Sequence, residues 1–481
     1  MTDTHAKPEI ANADPVLEKA LAILGPRGLV TDADTIEPWL TDWRGRYHGA
    51  ARALAQPETV EELAQLIKLC GESGVPIVPQ GGNSGMVGGA TPDQSGDAIL
   101  LSTRRFQGIE IDEQTMTARC GAGVILQVLH EAAEDVGLRF PLSLGGKGSA
   151  TVGGLIATNA GGTQVLRHGT MRALVEGIEV VLPNGDVLDL TSPLKKDNRG
   201  FDLKQLWIGS EGTLGIVTSA VLQLVPAIAE RRVVWAGLPD IFTARKLLLH
   251  CQRAMPDALE GFEVMPGICI EQVLKYVPNA QSPLEGEHGW HVLLEFDAAK
   301  DAADGFGEAV EQVLADAFEA GLIEDAVIAA NEGQAAQFWE LRENISPAEK
   351  QRGPAMQHDI SVAVASMPEV LSKAEKEIPE LFPGTMVMGF GHLGDGNIHL
   401  HVCEPGAPDK AAWEASTGKA VSRWVYEMVT AAGGSISAEH GIGQDKRDIL
   451  LETHDPAAIR AMRAVKAALD PQGLLNPGKL V

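Results

Sequence analysis

No run of about 18 consecutive apolar residues occurs in this chain, so no membrane-spanning helix is expected. Cysteines are few: Cys70, Cys120, Cys251, Cys269 and Cys403. The number is odd, no two form a C-x-x-C pair, and they are scattered. That excludes a disulfide framework and points to a reduced compartment, the cytoplasm. Positive charge is scarce too. With 39 Lys and Arg against 65 Asp and Glu, the formal net charge is −26. Nucleic acid is excluded as a partner, because phosphate backbones demand basic surface, and so is an anionic membrane bound by charge alone. A small anionic substrate is not excluded, since it needs only a local basic pocket. Met1–Asp14 lacks an apolar core segment and carries Asp3 and Glu9. It reads as neither a secretory signal nor an Arg-rich transit peptide, and is expected to be a disordered lead-in. Internal repeats and low-complexity segments are lacking as well.

The 481 residues, 44% hydrophobic and 22% charged, have the composition of a soluble globular protein. The chain is too long for one ordinary core, so two or three domains are expected. Its organising stretch is Val75–Gly89. A short apolar run empties into a glycine-rich loop, Pro79, Gln80, Gly81, Gly82, Asn83, Ser84, Gly85 and onward to Gly89, with no Lys or Arg. Such a loop exposes backbone N–H groups to an anionic guest such as a pyrophosphate. It completes neither the G-x-x-x-x-G-K-[ST] nor the G-x-G-x-x-G pattern, and taken alone it reads as an ordinary surface loop. Two further stretches change that. Gly145–Gly162 contains Ser149, Thr151, Gly153, Gly154, Thr158, Asn159, Gly161 and Gly162. Trp207–Val217 contains Glu211, Gly215 and Ile216. Three small-residue segments flanked by apolar runs suggest a long ligand threaded through close backbone contacts.

Together these segments resemble the flavin domain of the vanillyl-alcohol oxidase/p-cresol methylhydroxylase superfamily. Within it, the chain from about Glu58 onward is similar to the FAD-linked D-2-hydroxyacid dehydrogenases. The resemblance implies an α+β protein: a two-subdomain FAD-binding domain of p-cresol methylhydroxylase type, an antiparallel-sheet cap domain and a helical C-terminal segment returning to the flavin. Boundaries are expected at 15–227, 228–435 and 436–481, the first at the Pro226–Arg232 composition break. Thr59-Val60-Glu61-Glu62 reads as a capping box opening a helix to about Gly74, and Asn184-Gly185 as a hairpin turn. After the break, strands mixed with helices suggest an antiparallel sheet with helices on one face. FAD is expected to be non-covalent, because the Pro79–Gly89 loop offers no His or Cys. Asn476 resembles a family position near the flavin and reads equally as a turn residue.

The densest chemistry lies in Gly389–His401 and Gly433–Gly443. A tight turn at Gly394–Asn397 would bring His392 and His399 together across a hairpin, and His399 and His401, two apart on a strand, would face one side. With Glu439 these make an open site for a divalent metal, zinc first, with manganese or iron as alternatives. Hydrogen-bonded structural histidines are the competing reading. The resemblance implies that His392, His399 and Glu439 bind the metal and that His440 is the base and touches substrate. Arg342 and Ser346, one helical turn apart, would share a face. The resemblance assigns both to the substrate, while Arg342 could instead pair with Glu343 or Asp359. Two positions depart from the family pattern: Gln357 stands where relatives often carry Lys, and His401 where hydroxyglutarate enzymes carry Asn. The expected reaction is oxidation of a D-2-hydroxy acid to a 2-oxo acid, D-2-hydroxyglutarate first and D-lactate next. Electrons would pass to an electron-transfer flavoprotein or a quinone, and a homodimer is possible. The rivals are a metallohydrolase and an electron-carrying flavoprotein subunit without its own substrate site.

Overall fold

The computed structural model describes residues 14–192 and 194–481. The expected lead-in therefore lies outside the described residues except for Asp14, whose side chain accepts from Val16 N and caps the helix Pro15–Gly28. That helix is kinked where Gly25, at φ +68°, meets Pro26.

The capping box at Thr59–Glu62 forms as read. It opens the helix Val60–Ser73, which buries Leu63, Leu66, Ile67 and Cys70 and ends on the left-handed Gly74. The chain then runs into the strand Ile77–Gln80, parallel to Ile99–Ser102, in a four-stranded sheet ordered Leu29–Val30, Ala53–Ala55, Ile99–Ser102, Ile77–Gln80. A second sheet is antiparallel and ordered Ile109–Asp112, Thr117–Gly121, Ile216–Gln223, Val175–Val181, Val187–Leu190, its last two strands joined through the Asn-Gly turn. One apolar cluster, from Leu17 to Leu475, binds this first half of the molecule.

Leu138–Arg139 and Val225–Pro226 pair as a two-stranded ribbon, and the other strands form a seven-stranded antiparallel sheet: Asp325–Ile328, Glu230–Leu238, Trp290–Ala298, Leu259–Pro266, Met386–His392, Asn397–Cys403 and Ala355–Ser361. Here the structure corrects the sequence reading, for helices cover both faces. Val234, Ala236 and Leu238 pack with the helices Ile241–Ala254, Phe306–Glu319, Met367–Leu381 and Lys419–Ala431. Val233 and Trp235 pack with Gly267–Tyr276, Glu332–Glu343 and Ile345–Glu349. Strands buried on two faces lose the apolar–polar alternation that marks a one-sided sheet. A second correction concerns Arg342 and Ser346. The helix carrying Arg342 ends at Glu343, Asn344 breaks it, and Ser346 belongs to the following short helix. Among the described residues no helix is long and apolar enough to cross a membrane, and the five cysteines are free and buried.

Candidate functional site

Between the first two sheets lies a cavity of about 540 Å³. All the residues picked out in the three small-residue segments line it except Asn159 and Gly162. Several glycines are required because the loops abut one another. A Cβ on Gly82 would sit 1.9 Å from Ser149 O, and one on Gly162 would sit 2.0 Å from Ser143 O. Asn159 serves as a left-handed helix cap whose Oδ1 accepts from Thr170 Oγ1 and Arg172 N, both at 2.9 Å. Asn476 is also absent from the wall. Its Nδ2 donates to Gly89 O at 3.0 Å and Glu211 O at 2.7 Å, tying the C-terminal segment beneath the loops. Gln80 is buried, donates from Nε2 to Trp39 O and Ala90 O, and leaves Oε1 without a partner at the cavity wall. Trp207 Nε1 is likewise buried and unpartnered. These orphaned groups suit a polar cofactor. Glu211 lines the cavity, but both its carboxylate oxygens are taken by backbone N–H groups of Ile442 and Gly443.

Glu439 and His440 complete the cavity wall, and beside them is the hairpin Met386–Cys403. His392 and His399 meet across it with ring centroids 5.4 Å apart. Ligand atoms of His392, His399 and Glu439 all lie within 4.8 Å of one another. His392 is oriented by the buried Glu263, whose Oε1 is hydrogen-bonded to His392 Nδ1, so Nε2 is the nitrogen turned toward Glu439. A carboxylate behind a ligating histidine fixes its ring and tautomer. Burial and the nearby charges of His392 and Arg342 hold the His399 imidazole well below its ordinary pKa, so it is neutral. Burial amid Asp359, Asp395 and Glu263 pushes the Glu439 carboxyl up to about 7, against the pull of His392. His440 is lowered to about 4 by burial, and its Nδ1 stands 3.7 Å from Asp359 Oδ2.

Arg342 reaches the same sheet face, its guanidinium 4.8 Å above the Phe390 ring, and His399 lies 5.5 Å from that ring. Its carboxylate partner is neither Glu343 nor Asp359. Arg342 Nε donates to Glu263 Oε2 at 2.8 Å, so one carboxylate serves both Arg342 and His392. His401 also packs on Phe390, at 4.9 Å. Its Nδ1 lies 2.7 Å from Oε2 of the buried Glu349, which also accepts from Gln357 Nε2 at 3.2 Å. Gln357 and His401 are direct cross-strand partners. Ser346 stays half-buried near the start of the next helix.

Sequence reasoning missed Glu263 and Glu349. Glu263 left a signal, a charge inside the apolar strand Gly261-Phe262-Glu263-Val264, where burial demands partners. Glu349 left none, because it follows Pro347-Ala348 in what reads as a polar helix end. The role of Asp359, whose Oδ2 accepts from the backbone of Glu439 and His440, depends on a contact across 80 residues and was equally invisible.

Residues 51–191 match the FAD binding domain family, and residues 228–480 match the C-terminal domain of FAD linked oxidases. D-2-hydroxyglutarate dehydrogenase of Stutzerimonas stutzeri is 36% identical over 471 residues, covering 97% of this chain and 99% of that one. The mitochondrial enzyme of that name from Bos taurus is 36% identical over 96% of this chain and 82% of its own. A mitochondrial relative from Schizosaccharomyces pombe, bearing a D-lactate dehydrogenase name, is 33% identical over 94% and 86%. Among solved structures, p-cresol methylhydroxylase with substrate bound superimposes with a TM-score of 0.74 at 16% identity, over 97% of this chain and 96% of that one. Alkyldihydroxyacetonephosphate synthase gives 0.73 at 18% identity, over 98% and 87%. These two share the fold. The two domain matches and the near-full-length relatives at 33–36% identity show the family: the chain belongs to the FAD-linked D-2-hydroxyacid dehydrogenases.

Proposed function

We propose that this enzyme oxidises D-2-hydroxyglutarate to 2-oxoglutarate with non-covalent FAD and a divalent metal. The observation that carries the reading is the convergence of His392, His399 and Glu439 beside His440 at the wall of the flavin cavity. FAD held by the glycine-rich loops that line the cavity would supply a hydride acceptor for the hydroxyl-bearing carbon. Non-covalent attachment is supported by the cavity lining, which among the described residues holds no cysteine and no histidine other than His440.

The donor set fits a divalent ion. Two imidazoles and a carboxylate leave room for a substrate oxygen, His399 is neutral, and the carboxylates crowding Glu439 call for a cation. Zinc is our first assignment, with manganese or iron as alternatives. Held by His392, His399 and Glu439, it would lower the pKa of the substrate hydroxyl.

The chain's own groups do the rest. Arg342 is anchored through Nε, so its terminal nitrogens are the ones available to grip the substrate carboxylate. His440, neutral at pH 7, takes the hydroxyl proton, and Asp359 steadies the imidazolium that results. Ser346, at the head of the next helix, is a further substrate contact in this reading, and His401 faces the far end of the acid. The division into 15–227, 228–435 and 436–481 assigns flavin, substrate and the returning loop respectively, supported by the Asn476 and Glu211 ties. A reducing compartment, the cytoplasm in this reading, suits five free cysteines. The acceptor class we assign is an electron-transfer flavoprotein or a quinone.

Metal analysis tests the reading. Purified protein is expected to hold one divalent ion per chain. Chelation should abolish flavin reduction, and zinc or manganese should restore it. Undiminished reduction in metal-free protein would refute the metal assignment. D-lactate is the second reading, favoured by one observation: Gln357 and His401 supply no permanent cation for a second substrate carboxylate.

A further inference from the structure

The loop Glu439–Gly443 carries both the proton acceptor and one metal donor of the proposed reaction, yet it contains no helix or strand. Two carboxylates accept from its backbone N–H groups, and Ser437 Oγ donates to Gly441 O at 2.6 Å. Asp359 Oδ2 accepts from Glu439 N at 2.8 Å and His440 N at 2.9 Å. Glu211 Oε1 accepts from Ile442 N at 2.7 Å, and Glu211 Oε2 from Gly443 N at 2.6 Å. The two carboxylates come from opposite sides. Asp359 stands on the edge strand Ala355–Ser361 of the seven-stranded sheet, and Glu211 on the flavin-cavity wall just before the strand Ile216–Gln223.

The Glu211 side of this clamp is built in detail. Gly441 at φ +80° and Gly443 at φ +52° shape the loop so that its N–H groups converge on one anion. A Cβ on Gly441 would stand 2.9 Å from Glu211 Oε1, and one on Gly443 would stand 2.3 Å from Val87 O. Glu211 itself sits at φ +52°, an unfavourable conformation for a residue with a side chain. Its own backbone is pinned, with N donating to Ala157 O at 2.8 Å and O accepting from Asn476 Nδ2. With 8% of its surface exposed, the carboxylate depends on those two donors. No oxygen of it is left without a partner.

We propose that Glu211 is a positioning residue: it fastens the Glu439–His440 loop to the flavin-cavity wall, setting base and metal donor in register with the flavin, and does not itself recognise the cofactor. This rests on the reading that Glu439 and His440 serve the reaction. The carboxylate couples the two halves of the site, since Asp359 fixes the loop to the substrate sheet and Glu211 fixes it to the flavin domain.

The test is Glu211→Gln in the full-length holoenzyme. Glutamine keeps the volume and one acceptor but sets an amide NH2 against the second backbone N–H. The flavin-to-protein ratio should be unchanged. The rate of flavin reduction at saturating substrate should fall about 10- to 100-fold, with KM within about twofold of wild type. The zinc dissociation constant, measured with zinc alone, should rise about 10-fold. Gly441→Ala leaves the carboxylate chemically unchanged and displaces the loop by setting a Cβ 2.9 Å from Glu211 Oε1. It should show the same pattern, and it decides the matter if Glu211→Gln does not fold. A Glu211→Gln protein that loses FAD, while its loaded fraction is reduced at the wild-type rate, would overturn the proposal. So would unaltered rate and zinc affinity in the variants that fold. If no D-2-hydroxy acid reduces the wild-type flavin, it is the reaction reading that fails, and zinc affinity then decides the positioning claim.

Discussion

Glu263 and Arg342 lie 79 residues apart and meet at 2.8 Å in a buried ion pair whose second carboxylate oxygen is given to His392. The candidate substrate cation and a candidate metal ligand are thus oriented by one side chain. The two cations beside it hold the Glu263 carboxyl down to about 2, against its burial. Glu263→Gln is expected to weaken metal affinity by about 10- to 100-fold and to raise KM, because Arg342 loses its anchor. A chelator-competition titration alongside steady-state kinetics checks both effects. Retained metal affinity would show that Glu263 does not orient His392.

The second prediction concerns the two residues that depart from the family pattern. Gln357 and His401 share the Glu349 Oε2 atom, while Glu349 Oε1 is buried without a partner. Glu349 takes His401 Nδ1, and in the proposed reading Nε2 is the nitrogen that would meet the substrate. His401 stands one same-face position, about 7 Å, beyond His399 along the strand, where the far end of a longer hydroxy acid would fall. Glu349→Gln should lower kcat/KM for D-2-hydroxyglutarate by about 10-fold, on the order of one charge-assisted hydrogen bond. D-lactate should be nearly unaffected. Equal losses for the two acids would remove His401 from far-end recognition.

Asp297 gives a pH-dependent stability prediction. Both its oxygens are buried without partners, and burial with Glu295 and Glu260 nearby pushes its carboxyl up to about 8, against the pull of Arg139 and Arg231. The folded value is above the unfolded one, so the stabilising contribution is complete below about pH 4 and is lost as pH rises toward 8. Asp297→Asn should match wild type near pH 4 and exceed it by on the order of 5 kcal/mol at pH 8. Thermal melts across that range decide it, and an unchanged difference between the two pH values would contradict the account.

His440 is lowered to about 4, chiefly by burial, with Lys446 and Arg44 adding to the effect and Asp359 opposing it. A base that is already neutral gives no acid limb near the ordinary histidine value. In metal-saturated protein, where the ion would hold Glu439 ionised, the pH profile of flavin reduction should therefore stay level from pH 8 to about 6. A fall centred at 6.5 would assign the proton transfer to a more exposed group.

Much of this was legible in the sequence, for reasons that differ residue by residue. The capping box at Thr59–Glu62 is local chemistry and needed no tertiary context. The His392–His399 pairing followed from one tight turn between two strands. The glycine loops were read as ligand cradles, and sixteen of their eighteen highlighted residues line the cavity, but their spacing could not show that Gly82 and Gly162 serve loop-to-loop contact. Spacing alone puts Arg342 and Ser346 on one helix, because Asn344, where the helix breaks, carries no strong breaking signal. The buried carboxylates Glu263, Glu349 and Asp359 bind partners 8 to 129 residues away. Apart from the eight-residue Glu349–Gln357 contact, these separations exceed any local sequence window.

The most direct measurement of the central claim is an anaerobic titration of metal-replete protein, following the flavin band near ~450 nm, a property of the cofactor. D-2-hydroxyglutarate, D-lactate, D-malate and the L-enantiomers are added in turn. The account predicts bleaching by D-2-hydroxyglutarate, none by its L-enantiomer, loss of the response on chelation and recovery with zinc. A yellow protein that no D-2-hydroxy acid bleaches, with or without metal, would contradict it.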